Sequence, residues 1–269
     1  MPFLNALRKS LHPLRPKGVG LGSEKLLFLV PLSILFVAWE LVSRLSLISA
    51  SSLPPPSEIL SVLVANINSP EFVLRAFYSL ANLMLGIVLA FIMAVPLAMA
   101  TGLKAKLDFS VTPLIVIAGA LPDLALLPVI VFWFGPSVTA VVFMATIVAF
   151  FPIFFTVREG VKDIPKDYFH VATLYSTRRI DVYRKLVFPA VFPQLITGIR
   201  LAYEFLWEIV IALEIIAMIS GIGSFITAAV EGGSLTLAFA GIFMVGIIAV
   251  LIDRTFFLYL EERVRKWHE

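Results

Sequence analysis

Residues 75–103 read RAFYSLANLMLGIVLAFIMAVPLAMATGL. A helix rising ~1.5 Å per residue needs about 20 apolar residues to cross a hydrocarbon layer of ~30 Å, and this stretch exceeds that. Gly86, Ala90, Ala94, Ala98 and Gly102 recur every fourth residue. This periodicity places small side chains on one helix face, where a second backbone can approach closely. Ordinary alanine usage in an apolar helix is the plainer reading, and five successive matches favour packing.

The rest of the chain agrees with a membrane reading. Of its 269 residues, 60% are hydrophobic and 14% charged, and the mean hydropathy is +0.99. Soluble domains are nearer half apolar and one quarter charged. Further spans are predicted at about 25–48, 109–134, 137–157, 189–219 and 235–258. The run 25–48 is too long for a signal peptide and carries Glu40 and Arg44 at helical i,i+4 spacing. Residues 49–70, with Pro54, Pro55 and Pro56, form an exposed loop containing a short helix. The span 109–134 is interrupted by Pro113, Pro122 and Pro128, with Asp123 after the middle proline. Backbone freed by proline is tolerated in a membrane only inside protein or beside a watery cavity.

Lysine and arginine set the orientation. Five lie in the tail up to Lys25, two in 104–108, seven in 158–188 and four from Arg254 onward. The alternate loops 49–72, 134–137 and 220–234 hold none. The separation predicts six transmembrane helices with both termini cytoplasmic. Residues 1–24 then form a basic cytoplasmic tail, 25–260 the transmembrane domain, and 261–269 a second tail. Gly18, Gly20 and Gly22 in the first tail lack the strand and further glycine of a dinucleotide loop. The absence of cysteine removes disulfides and thiolate metal sites, and His12, His170 and His268 lack ligand spacing, so no metal or cofactor is expected.

A pore needs no large cytoplasmic loop, yet residues 158–188 form one with helical character. Ile164-Pro165 opens a short helix carrying Tyr168 and Phe169, and after Ser176-Thr177 a second amphipathic stretch runs through Ile180, Tyr183, Leu186 and Val187 to Phe188-Pro189. Apolar and aromatic side chains on an exposed hairpin call for a partner surface, unless the hairpin packs on its own bundle.

In this segment His170-Val171-Ala172, Ser176, Leu186 and Phe188-Pro189 have the spacing of the Glu-Ala-Ala-x3-Gly-x9-Ile-x-Leu-Pro signature. The chain thus resembles permease subunits of binding-protein-dependent ABC importers, and within them the nitrate/sulfonate/taurine/bicarbonate branch. Trp39-Glu40, the Leu53–Glu58 run, Leu127-Pro128, Phe132–Gly135, Phe151-Pro152, Ala202 through Trp207 to Glu214, and Gly221-Ile222-Gly223 fit that branch in order. The resemblance implies an all-α, type I importer-like permease in the cell inner membrane. Its 158–188 hairpin would be the coupling helix that docks on a separate ATPase through Tyr168, Phe169, His170, Val171, Ala172, Ser176, Leu186 and Pro189. His170, Val171 and Ser176 depart from the signature's Glu, Ala and Gly, so the turn at Ser176 is expected to differ in detail. The chain has no G-x-x-x-x-G-K-[ST] loop. The implied assembly has two permease copies, two ABC ATPase subunits and an extracytoplasmic substrate-binding protein, set in lipid, with no nucleic acid.

Glu204, Glu208 and Glu214 lie in the fifth span after Arg200. At ~100° per residue they share about one third of the helix circumference. Each would cost roughly 2.5–3.5 kcal/mol facing lipid, so they should look inward. Two readings stay open: Arg200 pairs with Glu204 and the others bond to neighbouring helices, or Asp123, Glu204, Trp207, Glu208 and Glu214 line a substrate path. Ionised carboxylates in such a path would oppose nitrate, sulfonate or bicarbonate and favour a neutral or cationic solute. A secondary transporter using these acids as a proton relay is the alternative function, but it does not account for the hairpin. A channel filter, an H-E-x-x-H pair and a Gly-x-Gly-Asp acid are all missing from the sequence.

Overall fold

The computed structural model describes residues 21–49, 51–174 and 178–265, and they are helical throughout with no strand among them. The chain divides into two units, 1–58 and 59–269.

In the first unit, α1 (Leu21–Arg44) carries Pro31 within it. It starts before the expected residue 25 and stops before 48, where Ser46 takes a left-handed φ of 54°. Glu40 ties the helix to the segment beyond its C-terminus. Arg44 Nε lies 2.5 Å from its Oε1, and Ser57 donates to it from Oγ at 2.7 Å and from its backbone N–H at 3.0 Å. Ser43 Oγ donates to the Leu53 carbonyl at 2.7 Å.

The second unit begins within α2 (Pro56–Asn66), the short helix expected in the first loop. Ser69 then caps α3 (Pro70–Leu103) by accepting the Phe72 N–H, with Pro70 in the first turn, where its missing N–H costs nothing. A break at Lys104 leads to α4 (Ala105–Gly119), and another at 120–122 leads to α5 (Asp123–Phe134). The axes of α4 and α5 meet at 88°. Pro122 caps α5 in extended conformation and excludes helix before it. Fifteen and twelve residues reach ~22 and ~18 Å, so neither helix alone crosses ~30 Å of hydrocarbon. The third expected span is a pair of half-helices.

Ser137 caps α6 (Val138–Lys162), which continues five residues past the expected end of its span. The segment expected to be cytoplasmic contains α7 (Lys166–Leu174) and α8 (Arg179–Val182). A π-helical turn over Tyr183–Val187 joins α8 to α9 (Phe188–Ile216). Next come α10 (Ile222–Glu231), inside a stretch expected to be loop, and α11 (Leu235–Ile252). A second π-turn, Asp253–Phe257, runs into α12 (Leu258–Arg265).

Helices α3, α6 and α11 with its continuation are long and apolar enough to cross a membrane, and α4–α5 qualifies as one broken span. The 29-residue α9 is long enough, but its charged residues interrupt the apolar run.

Helix α6 is packed between α3 and α9, and the small-residue stripe of α3 forms one of these seams. A Cβ at Gly86 would lie 2.5 Å from Ala145 Cβ, and one at Gly102 2.6 Å from Val161 Cβ. Ala90, Ala94 and Ala98 are fully buried. On the other side of α6, a Cβ at Gly198 of α9 would sit 3.1 Å from Ile153 Cα. Lipid is as apolar as the side chains, so close backbone approach and dispersion hold such a seam together.

Candidate coupling and transport sites

Ile164, just before α7, is buried, while Tyr168, Val171 and Leu174 on α7 are exposed, Leu174 at 82%. Ile180 on α8 is also exposed. Phe169 and Ala172 are half-buried, and His170 points outward. Leu186 is half-buried, Val187 is sealed in the core, and Pro189 is exposed at the start of α9. Tyr168 and Leu186 meet across one cleft, whose floor includes Gly160 and Gln194. His170 and Pro189 lie outside that cleft. Ser176, the position of the expected hairpin turn, falls outside the described residues.

The hairpin springs from an ionic cluster on α4 and α6. Arg158, only 9% exposed, binds Asp108 through Nε at 2.5 Å and Nη2 at 2.7 Å. Lys162 Nζ reaches the same carboxylate at 2.8 Å, and Thr112 Oγ1 donates to it at 2.6 Å. Arg158 also pairs with Glu159. The guanidinium hydrogen bonds hold the Asp108 carboxyl well below the usual carboxylate range, against the opposing effect of burial, and they raise Arg158 in turn. In sequence Arg158 and Lys162 served only as orientation signals. Their partner lies 50 residues upstream, and no local spacing connects them.

The acids of α9 separate into three environments. Arg200 makes a two-pronged bond to Asp253 at 2.7 and 3.0 Å, and Glu204 stands farther off at 3.6 Å. The pairing expected with Glu204 is therefore secondary, because Asp253 offers both oxygens to the guanidinium fork. Asp253 had no visible link to Arg200 in the sequence. Glu204 and Glu208 are exposed on the surface of this chain. Half-buried Asp123, at the start of α5, lies within electrostatic range of Glu208.

Glu214 is fully buried. Its Oε2 accepts from Ser79 Oγ on α3 at 2.8 Å and from the Gly223 N–H at 2.9 Å. Ser79 in turn accepts the Ile222 N–H at 2.8 Å, so the carboxylate and the serine together cap the N-terminus of α10. Gly221 and Gly223 make this fit possible. A Cβ at Gly221 would lie 2.1 Å from the Glu214 carboxyl carbon, and one at Gly223 2.5 Å from the Ile211 carbonyl. Trp207 is buried beside Tyr203 with ring centroids 6.0 Å apart. The ~120° arc shared by the three glutamates is wide enough to straddle an open and a packed side of the helix. Asp123 and Glu208 lie within electrostatic range of each other, whereas Trp207 and Glu214 face protein.

Residues 86–266 match the family described as binding-protein-dependent transport system inner membrane component. The taurine transport system permease protein of Escherichia coli (strain K12) is 28% identical over 242 residues, covering 88% of each chain. A nitrate import permease of Leptolyngbya laminosa is 30% identical over 175 residues, 65% of this chain and 63% of the relative. A crystal structure of the inward-facing MetNI methionine ABC transporter superposes with a TM-score of 0.61 at 18% identity. It covers 73% of this chain and 95% of its own.

Proposed function

Because this chain belongs to the family of inner membrane components of binding-protein-dependent transport systems, we propose that it moves its solute by passing work from an ATPase, through the 158–188 hairpin, to a path beside α5 and α9. It is a permease subunit of an ABC importer for a small solute, a multi-pass inner membrane protein with a type I permease fold. Two copies, with two separate ATPase subunits and an extracytoplasmic binding protein, make up the working assembly. Six spans with cytoplasmic termini fit the charge pattern of the loops.

One observation carries the coupling role. Tyr168, Val171 and Leu174 project outward from a segment rooted in the bundle by Ile164, Val187 and the Arg158–Asp108 pair. Exposed apolar side chains on a rigid base suit insertion into a groove of another subunit. Tyr168, Phe169, His170, Val171, Ala172, Ser176, Leu186 and Pro189 form or flank that insert. The test is ATP hydrolysis and uptake by the reconstituted complex, with Ala172→Asp as the probe. A charge forced into an apolar contact is expected to lower uptake at least tenfold while the permease itself stays folded. Full activity of an assembled Ala172→Asp complex would remove the residue from the contact.

For the substrate path, the pairing of Asp123 with Glu208 is the guide, with Glu204 one turn away. Two neighbouring carboxylates favour a neutral or cationic solute over a free anion. Uptake by Glu208→Gln tests this: a cationic substrate should be taken up less well and a neutral one about equally, and improved uptake of an anion would reverse the assignment. A proton-relay transporter finds less support, since Glu214 is sealed in a packed node and Arg200 is committed to Asp253.

A further inference from the structure

Outside the hairpin and the acids of α9, the second unit has two apolar clefts that follow one another along α3 and the start of α9. The larger, about 530 Å³, lies between α3, α9 and the second π-turn, with Met84, Phe192, Phe256 and Phe257 in its wall. The smaller, about 500 Å³, is bounded by Val95, Met99, Ile180, Tyr183 and Arg184. Phe91 and Phe188 line both, so the two clefts share a ridge of aromatic side chains.

Three features identify an occupant. The larger cleft is lined only by leucine, isoleucine, methionine and phenylalanine, and the smaller ends at the guanidinium of Arg184, which is exposed and has no acidic partner among the described residues. Its neighbour Lys185 is paired with Asp181. Second, both π-turns open onto this region: the first supplies Tyr183 and Arg184, and the second supplies Phe256 and Phe257. Widened turns of this kind are frequent where a helix is shaped around a ligand. Third, 530 Å³ corresponds to about one turn of a helix ~11 Å across, too little for a spanning helix but suited to a slender hydrocarbon chain.

We propose that the double cleft binds an anionic diacyl phospholipid, with the phosphate on Arg184 and the acyl chains running along α3 past Phe91 and Phe188 into the larger cleft. Arginine suits this role because its planar fork matches phosphate oxygens and it remains charged at any physiological pH. This binding mode would set Arg184 at the headgroup level of the leaflet nearest residues 158–188 and the larger cleft among the acyl chains. A lipid held there would touch both the start of α9 and the root of the coupling segment.

The experiment is native mass spectrometry of the full-length permease titrated with phosphatidylglycerol or phosphatidylcholine in mixed micelles. The wild type should retain phosphatidylglycerol with about a fivefold preference, the effect of one interfacial cation. Arg184→Gln should abolish the preference and keep residual binding of both lipids, and Arg184→Lys should restore part of it. Met84→Trp, which fills the larger cleft, should reduce retention of both lipids. A photoreactive amino acid in place of Met84 should cross-link to phospholipid. The proposal fails if the wild type retains neither lipid, if Arg184→Gln keeps the preference, if Met84→Trp leaves retention unchanged, or if the cross-link joins polypeptide instead.

Discussion

Arg158 is nine-tenths buried at the end of α6, and its charge is compensated by Asp108 on α4. Asp108→Asn would leave that guanidinium with only the exposed Glu159 as counter-charge, a loss of about 3 kcal/mol for a broken buried pair. It should appear as a lower melting temperature of the detergent-solubilised protein. The pH dependence has a definite sign. The folded-state pKa of Asp108 is depressed, so its contribution is complete above the ordinary carboxylate value of about 4 and is lost only as pH falls toward the folded value. Melting temperature should show no Asp108-dependent change from pH 8 to pH 5 and should decline below about pH 4, with the decline reduced in Asp108→Asn. At Glu214, Gln still offers an acceptor to Ser79 and Gly223, whereas Ala leaves a buried hydroxyl and an N–H unmet. Glu214→Ala should therefore destabilise by about 2 kcal/mol more than Glu214→Gln, measured by thermal unfolding. The sequence marked Glu214 and the Gly221-Ile222-Gly223 run separately. Their union depends on a chain reversal at 217–221 and on Ser79, 135 residues from Glu214, and local spacing encodes neither.

The small-residue stripe of α3 could be read directly because helical periodicity is local, whereas its partner, α6, is chosen by the fold. Gly86→Leu should disrupt it. The added side chain meets Ala145 Cβ and its backbone rather than a movable tip, so the α3–α6 seam must open. Loss of folded protein on size-exclusion chromatography is expected, with Gly246→Leu, on an open face of α11, as the tolerated control. The prolines of the third span announced a break, and the 88° angle shows how much it turns the chain. Proline removes a hydrogen bond and a conformation, but the direction taken afterwards comes from tertiary packing. The π-turns had no visible signature, since one extra residue in a turn leaves the apolar pattern almost unchanged.

At the scale of the molecule, the charge pattern of the loops is a statement about sides of a membrane. The chain contains no cysteine, so single introduced thiols report cleanly. Lys166→Cys should react with an impermeant maleimide only from the cytoplasmic side, and Ser234→Cys only from the opposite side. Labelling of both from one side would overturn the six-span arrangement. The family resemblance was legible because its motifs occur in order along the chain. Solute identity was not, since the α9 acids take their meaning from Asp253, Asp123 and Ser79, which reach them through the fold.

The right-angled α4–α5 pair also bears on biogenesis. Ribosomes deliver residues 105–134 to the insertion machinery before α6, the helix against which α5 packs, has been made. Two half-length helices have free backbone groups at their junction and no scaffold to receive them, and hydrocarbon offers no substitute partner. Nascent chains truncated before residue 138 should therefore linger at the translocon and be handed to membrane proteases. Chains extended beyond residue 162 should escape, making completion of α6 the checkpoint in this protein's synthesis.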